Sequence, residues 1–383
     1  MALSPRLCPP SGASLAGLLV LGVASGAQSA AADTGGWQYG AYLDVSYADD
    51  LGGDRTIEWR SKLTTRRLNA FDPNMGMMYL YKPPDESSRW GLELGLQGGD
   101  DMDAQKPSKS QNPLPGADVL SVFSRANVSY LADIGNGLKL QAGLMNSFIG
   151  FESMYAGQNP NYTRSWMADY SPYFLIGAGA EYAVLGNLSA GLYLLSDYDY
   201  LAFVGDQPKY GAQLKWRPQA GWTLTQNLFF GPEQKETALS YWRGFSDTIL
   251  EWRSDEILLA MAYDIGTQKL ATSGLQTVWM GSAIWSRWHI DGPWSLALRP
   301  EIYWDPDGQL TGLEQFISAV TLTSEYRTTL VGPSAATVRM EFRHDTSIGP
   351  EGGFFNAAGN QPLLVPGQNL LFFALILTYD ENQ

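Results

Sequence analysis

Leu138-Lys-Leu-Gln-Ala-Gly-Leu144 and Ile176-Gly-Ala-Gly-Ala-Glu-Tyr182 decide how the rest of this chain is read. In the first, Leu138, Leu140, Ala142 and Leu144 alternate with Lys139, Gln141 and Gly143. In the second, Ile176, Ala178, Ala180 and Tyr182 alternate with Gly177, Gly179 and Glu181. Successive side chains on a strand point to opposite faces, so each segment is a strand with one apolar and one polar face. Between them, at about 148–172, lies a polar and aromatic stretch with no period of its own. A loop of about 25 residues between two strands is usually functional or disordered. The expected arrangement is a membrane β-barrel whose long third loop folds inward and narrows a pore.

The same rhythm runs outward in both directions. Strands are expected at about 37–47, 74–81, 90–96 and 118–131 before the central pair. After it they fall at about 188–194, 210–216, 222–230, 243–252, 256–266, 279–290, 294–304, 315–327, 335–345 and 368–379. The connections alternate, with short turns after even-numbered strands and longer segments after odd-numbered ones. An all-β fold follows: a transmembrane antiparallel barrel of about 16 strands, with short periplasmic turns and long outer loops.

Composition agrees with this and removes alternatives. The chain has 383 residues, 13% aromatic, with a formal net charge of −14. Residues 1–32 read as a cleaved secretory signal, with Arg6 in the charged end, an apolar core from Leu15 to Ala24 and small residues from Ala27 to Ala32. Residues 33–383 are then the barrel domain. Cys8 is the only cysteine, so the exported chain holds no disulfide, no cysteine zinc site and no thiol nucleophile. Its apolar core is shorter than the roughly 20 residues of a transmembrane helix, and no later segment reaches that length either. The acidic balance speaks against nucleic acid as a partner. A soluble secreted carbohydrate-binding β-domain would share the average hydropathy, and a barrel serving as a surface receptor or adhesin would share the strands.

Aromatics sharpen the membrane reading. Trp37, Trp90, Tyr182, Trp216, Trp222, Trp252, Trp288, Trp294, Tyr326 and Tyr379, with Tyr81 and Tyr130, lie at the short-turn ends of their strands. In a barrel these become one aromatic girdle at the periplasmic interface, where amphipathic rings are favoured. A general preference of aromatics for strands does not explain their clustering beside the short turns.

Gly143-Leu-Met-Asn-Ser-Phe-Ile-Gly-Phe-Glu152, followed by Asn159-Pro-Asn-Tyr-Thr-Arg-Ser165, resembles the loop signature of the β-barrel porin type 2 family, in which Asn-Pro-x-Tyr-Ser-Arg-Ser follows a Gly-x-Phe strand end. Thr163 stands where that pattern has Ser. Tyr210-Gly-Ala-Gln-Leu214, Gly281-Ser-Ala-Ile-Trp-Ser-Arg287 and Glu301-Ile-Tyr-Trp-Asp-Pro-Asp-Gly308 extend the likeness over most of the exported chain. One departure is the C-terminus, where Asp380 to Gln383 follow the last aromatic. The resemblance implies an outer-membrane porin: a water-filled channel for passive diffusion of ions and small hydrophilic solutes, with no cofactor. Its partners are outer-membrane lipid, lipopolysaccharide and the permeant solutes, and porins of this size are often homotrimers.

If the apolar parity faces lipid, the other parity lines the lumen, because charge in mid-strand is costly on the lipid side. That places Arg287, His289, Arg299, Glu301, Arg339, Glu341 and Arg343 inside on the late strands, and Asp44, Glu93, Gln97, Lys139, Gln141, Gln213 and Lys215 on earlier ones. Arginines on the late strands make a basic wall. Glu152 and Asp169, on the loop that also carries Arg164, are candidates to face that wall across a constriction, and rings of fixed charge set ion selectivity. Direct salt bridges between wall and loop are the alternative. Arg60, Lys62, Arg66 and Arg67 read first as a solvated basic loop, and second as a contact for lipopolysaccharide or a neighbouring subunit. Asp100, Asp101 and Asp103 read as a solvated acidic loop, lacking the ligand spacing of a calcium loop. His289 and His344 are the only histidines and neither sits in a metal or nucleophile motif, so catalysis is not expected. The sequons at Asn127, Asn161 and Asn187 read as chance, and 305–308 as a turn.

Overall fold

A computed structural model describes residues 36–52, 58–103, 113–199, 201–202, 207–235, 238–356 and 363–380. The expected signal, 1–32, lies outside the described residues. Fifteen strands follow in order: β1 Gln38–Asp50, β2 Ala70–Lys82, β3 Trp90–Gly98, β4 Phe123–Ala132, β5 Leu138–Asn146, β6 Phe174–Leu185, β7 Leu188–Leu195, β8 Lys209–Trp216, β9 Trp222–Pro232, β10 Trp242–Arg253, β11 Ile257–Lys269, β12 Gln276–Asp291, β13 Trp294–Asp305, β14 Gln315–Thr329 and β15 Ser334–Ile348. A short hairpin, β16 Phe354–Asn356 and β17 Leu363–Val365, sits in the last loop, and β18 Gly367–Asp380 ends the described chain.

Each of β1 to β15 pairs antiparallel with its sequence neighbour, and β18 pairs with both β15 and β1. Among the described residues, sixteen strands thus form one closed barrel, the expected number. Closure leaves no free sheet edge, the condition a sheet must meet inside a bilayer. No helix among the described residues is long and apolar enough to cross a membrane.

Burial follows the period-2 pattern. Along β13, Ser295, Ala297, Arg299, Glu301, Tyr303 and Asp305 are buried, whereas Trp294, Leu296, Ile302 and Trp304 are exposed. Apolar side chains face out and polar ones face in, the inverse of a soluble protein and the pattern of a lipid-embedded barrel.

The largest boundary difference from the sequence reading is at the start of β4. β4 starts at Phe123, because the preceding Ala117–Leu120 forms a helical turn after Gly116 takes a left-handed φ of 81°. The apolar run through Val119, Leu120 and Val122 resembles a strand but is mostly exposed.

Candidate functional site: the third loop and the charged wall

The inner face of β13–β15 carries a charged ladder set by register. Arg299 and Arg343 both face Thr321, Glu341 faces Thr323, and Arg339 faces Glu325. Arg343 lies 2.9 Å from Glu301 and 2.9 Å from Asp345, and Arg299 lies 3.2 Å from Glu301. Arg287 pairs with Glu325 below them.

Residues 147–173, between β5 and β6, run against this ladder. Wall carboxylates take the loop's backbone N–H groups: Glu341 accepts from Tyr162 (2.6 Å) and Thr163 (2.9 Å), and Glu301 from Trp166 (2.6 Å). Wall arginines take its carbonyls. Arg339 donates to Ala156, Asn159 and Asn161, Arg299 to Thr163 and Arg343 to Arg164. An irregular segment with no sheet partner needs each buried polar backbone group satisfied, and the ladder supplies donors and acceptors in turn. Glu152 folds back within the loop, accepting from Ser165 N–H at 2.7 Å while contacting Arg299 at 2.7 Å.

The loop also reaches strands on both sides of that wall. The Tyr162 hydroxyl donates to Asp44 on β1 at 2.9 Å, and that of Tyr155 to Gln97 on β3 at 3.1 Å. Gly150 N–H donates to Asp247 on β10, and the Ser171 hydroxyl to Asp264 on β11. Gly157 approaches β1 so closely that an added Cβ would stand 3.0 Å from the Tyr42 ring and 3.2 Å from Ile376. Trp166, Tyr155, Tyr162, Arg164, Arg299 and Arg343 are fully buried at this level. Loop and wall meet as one packed layer.

Two expectations change here. Glu152 does not stand across a gap from the arginines but bonds to Arg299 directly, the salt-bridge alternative. Asp169 turns away from the wall and pairs with Lys62 of the first loop. The side chain of Arg164 points to Asp101 on the helical turn α1, Asp100–Asp103. Of the other candidates, Lys139 sits lower on β5, 37% exposed and 3.7 Å from Glu181, and Arg287 is 36% exposed.

Lys62 and Asp101 are not the solvated loop charges the sequence suggested: both are buried. Asp169 accepts from Lys62, from the N–H groups of Leu63 and Thr64, and from the hydroxyls of Thr64 and Tyr173. Burial works against its charge, but Lys62 and these donors outweigh that, holding the carboxyl below its usual range. Arg66 and Arg67 pair with Asp100, and Arg60 donates to the Glu351 and Gly353 carbonyls. Trp59, Trp166 and Trp285, also missed, fill the same layer. Trp285 occurs in the quoted 281–287 motif at inner parity, the one signal that could have found it.

The aromatic residues form cross-strand pairs at the short-turn end. Trp90 faces Tyr130, Trp222 faces Trp252 and Trp294 faces Tyr326, the last two with ring centres 6.5 and 4.9 Å apart. Trp37 packs on Trp90, and Tyr379 stacks on Tyr39. Tyr182, Trp216 and Trp288 face Leu138, Leu188 and Ile257 at the same level. Tyr81 is a correction: it faces Gln38 and Glu93 on the inner side. His344 contacts Asn369 on the outer face while Asp345 holds Arg343 and Trp166 inside, so the two adjacent residues make no acid–base pair.

A closed antiparallel barrel with an apolar exterior, a charged interior and a loop laid through its lumen is the architecture of an outer-membrane porin. The chain belongs to the family described as "Putative beta-barrel porin-2, OmpL-like", whose model matches residues 36–379. Similar solved structures include OmpT of Vibrio cholerae in a trimer form (10% identity, 91% of this chain and 100% of that one, TM-score 0.54). The outer membrane channel DcaP of Acinetobacter baumannii matches at 10% identity over 94% of this chain and 100% of its own, with a TM-score of 0.54. OmpF of Salmonella typhi, in complex with daunomycin, matches at 9% identity over 90% of this chain and 97% of its own, with a TM-score of 0.56. At such identities the likeness is one of fold. No curated protein matches the sequence.

Proposed function

We propose that this porin carries ions and small hydrophilic solutes passively down their gradients, through a lumen narrowed by residues 147–173. The observation that carries the reading is the inversion of polarity, with Arg, Lys, Glu and Asp inside and Leu, Ile, Val and aromatics outside. Water-filled space is where such charges are tolerated, and a barrel of this strand number is wide enough for an aqueous channel unless a segment fills it. Lys139, Glu181 and Arg287 line the approach from the short-turn side. Arg299, Arg339, Arg343, Glu301, Glu341, Glu152, Arg164 and Asp169 bound the narrow level.

The protein is made with a cleaved signal, sits in outer-membrane lipid and lipopolysaccharide, and assembles as a homotrimer, as the trimer form of OmpT supports. Liposome swelling with sugars of graded size tests the reading. Small sugars entering and larger ones excluded is the expected result; no swelling with any solute from a correctly folded barrel would overturn it and turn attention to the outer loops as a binding surface.

A further inference from the structure

We propose that residues 58–69 of the first outer loop are a latch that holds the third loop across the lumen, and that the pore widens when the latch lets go. This rests on the porin reading above. The wall holds the segment 156–166 through its ladder, but Asp169, on the leg returning to β6, is held from the first loop instead. Lys62 and Asp169 have fully buried side chains, and Asp169 ties together both arms of the turn at 62–64. The Tyr170 hydroxyl donates to the Ser61 carbonyl, and the Trp59 ring stands edge-on to Trp166 at 6.0 Å.

The latch is also under backbone strain. Ser61, Thr65 and Asn69 have φ of 64°, 50° and 56°, the described non-glycine residues in the left-handed region. Such conformations persist where surrounding contacts over-determine them, and they favour a second arrangement once those contacts go. Thr65 is fixed in this state by its N–H bond to Asp101, the same carboxylate that pairs with Arg164 of the third loop. One strained turn therefore engages the third loop at Arg164 through Asp101 and at Asp169 directly, from the outer side.

The test replaces the latch with a removable bond. The Thr64 hydroxyl and Asp169 carboxylate are 2.7 Å apart, and Cys8 is the only natural cysteine. In Thr64→Cys/Asp169→Cys, the reduced form should show single-channel steps about twofold or more above wild type, and thiol cross-linking should return them to the wild-type size or below. Equal steps in the reduced and cross-linked forms would overturn the latch. If the double variant does not assemble, Lys62→Gln gives the same readout: larger steps support the latch and unchanged steps overturn it. Wild type and all variants silent, although folded, would overturn the porin reading itself, and the latch with it.

Discussion

Arg299 is held at five points: Glu152 and Glu301 by charge, and the Thr163 carbonyl, the Thr163 hydroxyl and the Thr321 hydroxyl by hydrogen bonds. Removing one partner of such a buried set leaves uncompensated charge, at a cost of about 3–5 kcal/mol. Arg299→Met should lower the unfolding free energy in lipid vesicles by that amount, measured by urea titration. A change below about 0.5 kcal/mol, the scale of an ordinary surface substitution, would mean that these contacts are not formed in the bilayer. Arg299→Met/Glu152→Met should recover part of the loss, because residues in contact do not act additively. Arg299 and Glu301 were legible as inner-facing charge from strand parity, whereas Glu152 lies in a stretch with no period. Their partners were not legible: Arg299 and Glu152 are 147 positions apart, Lys62 and Asp169 are 107 apart, and no local period records such a pairing.

At the scale of elements, alternation is a property of single strands, so nearly every strand was legible to within a few residues. The failure at 118–122 has the same root, since a short apolar run has no period that distinguishes a strand from a helical turn. Facing direction makes a prediction of its own. Leu322, at the centre of β14 and 49% exposed, faces lipid. Leu322→Arg should destabilise the refolded barrel by about 2–4 kcal/mol, whereas the same change near a strand end should cost about 0–1. Equal effects at centre and end would contradict a transmembrane β14. At the short-turn end, Trp294→Ala should lose the Tyr326 contact, worth about 0.5–1.5 kcal/mol beyond the buried area in the same titration. No loss there would leave the aromatic ring without an energetic role.

At the scale of the whole molecule, an empty barrel and a filled one share the same strands, aromatic ring and polarity. What separates them is the layer formed by the third loop, the wall of β13–β15 and the first loop, and that layer sets how much can pass. The measurement that reaches this most directly is single-channel conductance of the purified, refolded protein in a planar bilayer under a salt gradient. Discrete steps are expected, smaller than those of a variant lacking residues 153–168. Steps no smaller than those of the loop-deleted barrel would contradict a lumen narrowed by this loop, and a folded barrel that never conducts would contradict a pore.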